Sequence, residues 1–151
     1  MNKIEKYLTK IGAEYEIRNY STNCTSAIEV SKKIGFPYDQ MYKSLLCRNE
    51  NSYILVVIPS KSKLNNKYKL VETSLVEKLT GYPIGAVSPI LIKNNIQVLI
   101  DESVNKYQKV SIGCGEYGKE LIISPNELIR ITNGVIVKHL ASNKNDDKLA
   151  L

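Results

Sequence analysis

The sequence is short of the residues from which most catalytic and metal centres are built. Cys24, Cys47 and Cys114 are its three cysteines, an odd number with no Cys-x-x-Cys spacing, which argues against a disulfide framework and a zinc site. His139 is the single histidine. It lies in a late apolar segment, which makes a Ser-His-Asp triad improbable and points to a structural or surface role. No metal and no cofactor is expected. Long apolar runs are missing too: none approaches the roughly 18 residues of a membrane span, and the first residues lack a signal peptide's apolar core. A cytoplasmic protein with no membrane partner is expected. Internal repeats and linkers are also absent.

What is present is ordinary in amount. A chain of 151 residues, 43% hydrophobic and 24% charged, fits one domain that can bury a core without staples. The net charge of +6 favours an anionic partner such as nucleic acid.

One stretch resists reading as helix or strand: Thr80 to Pro89, Thr-Gly-Tyr-Pro-Ile-Gly-Ala-Val-Ser-Pro. Gly81 and Gly85 allow φ values that a Cβ disfavours, while Pro83 and Pro89 fix φ and withdraw two donors. The amides of Gly85, Ala86, Val87 and Ser88 remain available. Such a loop is either a connector of two turns or a backbone shaped to hold a carbonyl, carboxylate or phosphate.

Apolar spacing at Ile4, Tyr7, Leu8 and Ile11, stopped by Gly12, predicts a helix over 2–11. Alternation from Glu14 to Tyr20 predicts a strand. Ser26-x-x-Glu29 predicts a capping box and a helix ending at Gly35, followed by a loop over 36–39. The runs 40–47 and 53–59 read as a hairpin. Within the first, Lys43 shares a face with Met41, Leu45 and Cys47, so it is either an edge-strand gatekeeper or a placed charge. Lys61, Lys63, Lys67 and Lys69 follow with no acid among them, as a solvated loop, a short helix's exposed face or a phosphate-contacting patch. Ser74-x-x-Glu77 predicts a cap for a helix ending at Gly81. Strands are predicted over 96–101, 109–113, 120–123 and 135–140, with a glycine turn at 114–118 and a helix opened by Ser124-Pro125-Asn126-Glu127. From Ala141 onward the chain reads as a frayed polar tail. These elements predict a mixed α/β domain: a twisted, partly barrel-like mixed sheet flanked by short helices.

Three segments carry a resemblance. They are Lys32-Lys33-Ile34-Gly35 through Asp39-Gln40-Met41-Tyr42-Lys43-Ser44-Leu45-Leu46, Thr80-Gly81-Tyr82 through Ser88-Pro89, and Val98-Leu99-Ile100-Asp101. In this order and spacing they resemble the YbaK/ProX family of aminoacyl-tRNA deacylases, freestanding relatives of the editing domain of some bacterial prolyl-tRNA synthetases. The likeness covers residues 1–140, which it implies are one deacylase-like domain, with 141–151 as the tail.

The resemblance implies hydrolysis of the ester joining a wrong amino acid to the 3′ end of a tRNA. It implies a functional role for Lys43, a substrate loop at Gly85, Ala86, Val87, Ser88 and Pro89, and a substrate role for Asp101, with Tyr20, Ser44 and Gly113 lining the pocket. Asp101 would orient Lys43 or the substrate amine, or else it holds the turn formed with Glu102 and Ser103. Lys61, Lys63, Lys67 and Lys69 would meet the tRNA, and a synthetase is a further candidate partner. An aminoacyl ester is already activated, so a positioned water and donors for the developing oxyanion suffice. The expected substrate is tRNA-Pro carrying a small wrong residue such as Ala or Cys. The alternatives are a silent module that binds aminoacyl-tRNA or a synthetase, and a hydrolase of another small acyl ester. Two departures touch specificity: Ala86 stands where many members have a second glycine, and the stretch 113–118 is longer than the family's usual glycine-arginine turn, without its basic residue.

Overall fold

The computed structural model describes residues 1–93 and 96–142. Along the chain run α1 (Lys3–Lys10), β1 (Glu16–Asn19), α2 (Ala27–Ile34), a 3₁₀ turn (Tyr38–Gln40), β2 (Tyr42–Asn49), β3 (Ser52–Pro59), β4 (Lys63–Leu64), β5 (Lys69–Leu70) and α3 (Thr73–Thr80). Then come β6 (Gln97–Asp101), a second 3₁₀ turn (Glu102–Lys106), β7 (Val110–Gly113), β8 (Lys119–Ile123), α4 (Pro125–Thr132), β9 (Val135–Val137) and β10 (Ala141–Ser142).

The strands form a five-stranded sheet in the order β5-β2-β3-β6-β9, a three-stranded sheet β1-β8-β7 and a pair β10-β4. The mixed α/β class stands, but among the described residues no sheet closes into a barrel. The two larger sheets meet through one isolated parallel bridge, Met41 to Ser111.

Helix ends follow local chemistry. Asn2 caps α1 in a full capping box with Glu5. Ser26 and Ser124 accept from the amides of Glu29 and Glu127 to cap α2 and α4, each satisfying a donor that the first turn leaves unpaired. The cap predicted at Ser74 does not form: α3 starts at Thr73 with no side-chain cap. After the strand pairing of Leu70 with Cys47 the chain enters α3 two residues earlier, with Glu72 rather than Ser74 at the cap position.

β3 is central and reads as a continuous apolar run because both its faces are covered. Leu55 and Val57 join Ile4, Leu8, Ile100, Ile112, Leu121 and Leu128 in the main core. Ile54, Val56 and Ile58 pack with Cys47 and Leu140 on the other side. Truncating a fully buried Leu55 to Ala would cost about 2–5 kcal/mol.

β3 and β6 are parallel, which requires a crossover. That crossover carries α3 and the glycine-proline loop, and so places the loop beside β2 and β7.

Other corrections are local. The lysine stretch over 60–69 holds two short strands, β4 and β5, rather than a loop or helix. The predicted strand over 135–140 stops at Val137, because His139 adopts φ 63°. The turn there lets Ala141–Ser142 pair with Leu64 and Lys63. The predicted tail therefore begins inside a strand; its remainder, 143–151, lies outside the described residues. No described helix is long and apolar enough to cross a membrane.

Candidate active site

β2 has an incomplete edge. It pairs with β3 along its whole length, but on its other side it meets β5 only at Cys47 and Arg48, and the bridge to β7 uses Met41. Lys43, Ser44 and Leu45 have no strand partner there, among the described residues. A cavity of about 440 Å³ fills the gap, lined by these three together with Tyr20, Ala27, Gly85, Val87, Gly113, Tyr117 and Glu120. Because it lies across an edge, residues from both faces of β2 reach it. Its volume lies within the range of small-molecule sites.

Lys43 is half-buried, and burial alone pushes its ammonium's pKa below the ordinary lysine value. The ammonium makes no hydrogen bond or ion pair among the described residues. A desolvated, uncompensated cation is costly in a core, so its place beside an open cavity suits a group awaiting a ligand. Ser44 Oγ is buried and finds no hydrogen-bond partner among the described residues. The residue belongs to the cavity lining, but its hydroxyl lies buried in the wall rather than open to the space.

The loop is built from below. Gly81 caps α3 in the left-handed region, φ 86°, and the Tyr82 ring is almost wholly buried, its hydroxyl donating to the carbonyl of Ile90. Gly85, at φ 87°, is the third residue of a turn closed by the Ala86 amide donating to Pro83 (3.0 Å), a place that favours glycine.

That turn consumes one of the four expected amides. Those of Gly85, Val87 and Ser88 have no acceptor among the described residues. Only Gly85 and Val87 line the cavity; Ser88 is fully buried, with its Oγ accepting from the Ile90 amide at 3.3 Å.

The turn after β7 holds the loop in place. The Gly115 amide donates to the Ala86 carbonyl at 2.9 Å, and the Tyr117 hydroxyl donates to the carbonyl of Ile84. Gly113 lies against the loop so closely that a Cβ there would fall 2.4 Å from the Val87 carbonyl oxygen. The long 113–118 stretch is thus the loop's support.

The remaining sequence candidates lie elsewhere. Asp101 is buried, accepts from the Ser103 amide at 3.2 Å and caps the second 3₁₀ turn. It lines a separate cleft of about 1030 Å³. Lys61 and Lys63 line that cleft too, and Lys61 is paired with Asp39 at 3.2 Å. The two cavities adjoin through Tyr42, which lines both. Lys67 lies over the Tyr68 ring. Lys69 sits opposite Arg48, five positions along β2 from Lys43, roughly 17 Å at ~3.4 Å per residue. The four lysines therefore form no single patch. Pro89 and Ala86 are in the loop but do not line the cavity. Cys114 is fully buried, and burial pushes its thiol up to about 11, the opposite of an activated nucleophile.

Among the lining residues that escape the sequence patterns are Tyr117 and Glu120. Tyr117 is 55% exposed. Glu120, on the central strand β8, accepts from Ser111 Oγ at 2.6 Å, and burial pushes its carboxyl up to about 7. A glutamate in an alternating strand reads as solvent-facing, and only the register opposite Gly113 reveals its place.

Residues 21–131 match the aminoacyl-tRNA editing domain. The chain is 26% identical over 132 residues to EbsC of Enterococcus faecalis, which carries the name of a Cys-tRNA(Pro)/Cys-tRNA(Cys) deacylase, covering 80% of each. It is 24% identical over 138 residues to YwhH of Bacillus subtilis, covering 85% of this chain and 88% of that one. A solved structure described as a trans-editing enzyme for prolyl tRNA synthetase superposes with TM-score 0.84 at 21% identity, covering 93% of this chain and 95% of that one. With nearly three quarters of its length matched, including Lys43, the loop and Glu120, the chain belongs to the aminoacyl-tRNA editing domain family.

Proposed function

We propose that the protein is a trans-acting aminoacyl-tRNA deacylase that hydrolyses the ester of a mischarged tRNA, with tRNA-Pro bearing a small wrong residue such as Ala or Cys as its substrate. The observation that carries this reading is the unpaired Lys43 ammonium in one cavity with the uncommitted amides of Gly85 and Val87. The names of EbsC and of the solved trans-editing structure support the choice of tRNA.

The ester carbonyl enters beside Lys43 and the loop, which offer charge and N–H donors to the oxyanion as it forms. Donors held rigid in a partly dehydrated site stabilise that charge without reorganising. Water, or a group of the substrate itself, attacks; no protein nucleophile is required. The bond broken joins the acyl carbon to the terminal ribose oxygen, which takes the attacking group's proton and leaves as intact tRNA; attack by water frees the amino acid directly, and attack by a substrate group leaves a cyclic acyl product that water then opens. The acceptor end runs over the adjoining cleft, where Lys61 and Lys63 meet its phosphates. Such a substrate places the work in the cytoplasm.

The test is a set of tRNAs mischarged with small amino acids, incubated with the purified protein. Release of Ala or Cys from tRNA-Pro above the spontaneous rate is the expected result; release from none of them would leave a binding module in place of an enzyme.

A further inference from the structure

Among the described residues, Glu120 is an acid without a counter-charge. It sits on the middle strand of the three-stranded sheet, opposite Gly113 on one side and Arg18 on the other. By register Arg18 is its natural partner, since directly opposed charges on one sheet face attract. The Arg18 side chain turns away instead, binding Glu16 at 2.7 Å and the carbonyls of Ile34 and Gly35 at 3.0 and 3.2 Å.

Lys43, which lines the cavity with Glu120, forms no ion pair with it either. The groups that do face the carboxylate are neutral: the Ser111 hydroxyl from β7 and the Tyr20 phenol, whose pKa is pushed up by burial and also by Glu120. One cavity thus holds a cation and an acid, Lys43 and Glu120, with no ion pair to either among the described residues. A ligand that satisfies them carries a cationic head apart from a polarised carbonyl.

We propose that Glu120 binds the free α-ammonium group of the aminoacyl ester, so that the site selects acyl groups with an unblocked amine. This rests on the deacylase reading of the same cavity. The ammonium donates to Glu120, while Lys43 and the loop amides take the carbonyl end. An uncompensated carboxyl held up to about 7 by burial ionises when the ammonium arrives, because an opposite charge within hydrogen-bonding distance favours the charged form. Ser111 orients the carboxylate, leaving its second oxygen for the ligand.

The test uses acceptor-stem RNA ending in an amide-linked alanyl group, which cannot be hydrolysed at the ester, and the same RNA ending in a propionyl group, which lacks only the amine. The wild-type protein should bind the alanyl RNA about tenfold or more tightly than the propionyl RNA, the scale of one charge-assisted hydrogen bond. Glu120→Gln should bring that ratio close to one while leaving propionyl affinity within about twofold; Glu120→Asp should restore part of the ratio. Equal affinities in the wild type would overturn the inference, as would a Gln variant that weakens both RNAs alike. The ester counterparts separate the two readings. Discrimination between the amides without hydrolysis of any ester removes the deacylase reading and keeps the ammonium site. Hydrolysis of alanyl and propionyl esters at equal rates does the reverse.

Discussion

Gly113 and Val87 are packed backbone to backbone: a Cβ at 113 would lie 2.4 Å from the Val87 carbonyl oxygen and 3.2 Å from its carbon. The approach holds the loop against β7 and sets the cavity's width. Gly113→Ala must displace the loop, since backbone cannot rotate away as a side chain can. Overpacking of this kind costs about 1–3 kcal/mol. Urea unfolding should show that loss, and deacylation should fall more than tenfold under conditions where the variant stays folded.

Lys43→Ala should slow single-turnover deacylation by roughly 10² or more, the scale of losing one oriented donor to an oxyanion. Cys24→Ala and Cys114→Ala should turn over at close to the wild-type rate, and acid quench should trap no acyl-enzyme. Alanine is the right replacement at Cys114, because serine would put a hydroxyl into a fully buried site at a cost of about 1–3 kcal/mol. Inactivity of a folded cysteine variant would overturn the water mechanism.

Tyr117 reaches the loop through its hydroxyl, which donates to the carbonyl of Ile84. Tyr117→Phe removes that tie and keeps the ring. Stability should change by less than about 1 kcal/mol, as for an exposed hydrogen bond. Amide exchange over 84–88 should accelerate and KM should rise more than kcat falls. Unchanged exchange would show that the ring alone holds the loop.

Glu120 gives stability a slope with pH. Its carboxyl titrates near 7 in the folded protein, against 4.5 for an ordinary glutamate. Between those values the folded state binds more protons than the unfolded state, so stability falls as pH rises. Its contribution is full below about 4.5 and is lost as pH passes through 7. Glu120→Gln, which cannot ionise, should flatten the decline measured by urea unfolding at pH 5 and pH 8, and should gain on the wild type at the higher pH. Parallel declines in the two proteins would refute the assignment.

Lys61 and Lys63 line the cleft beside the cavity, whereas Lys69 sits at the far end of β2. Reversal of Lys61 or Lys63 to Glu should weaken tRNA binding and reduce the slope of log affinity against log salt by about 0.7–0.9 for each phosphate that the variant no longer neutralises. The single-turnover rate at saturation should hardly change. Lys69→Glu should leave the slope as it is; equal effects from all three would mean diffuse attraction rather than a path.

Local signals were enough for the helices and the hairpin. Ser26 and Ser124 cap helices because a short polar side chain can satisfy the first free amides from its own position, and Gly35 and Gly81 end helices because they accept φ above zero; Asn2, read as the first residue of a helix over 2–11, is instead the cap of α1. The two apolar runs around Glu50-Asn51 form β2 and β3 for the same reason: the turn and the alternation are properties of neighbouring residues. The odd conformation of 80–89 was legible in its glycines and prolines. Lys43 was open to two readings from its strand pattern alone, and the resemblance to a family favoured the functional one.

What the sequence by itself determined is therefore the set of elements and the loop that does not fit among them. Only the tertiary structure decided which groups share the cavity. Pairing of β2 with β5 at one end and its bridge to β7 at the other leaves the gap; the β3–β6 crossover lays the loop beside it; and the register of β8 turns Glu120 inward, while Asp101 belongs to another cleft. These neighbours are far apart in the chain, and their energies depend on register and burial. The strand puts Glu16 two residues from Arg18 on one face of β1, a local pairing, but that Arg18 also takes the carbonyls of Ile34 and Gly35, and so leaves Glu120 without it, follows only from the fold.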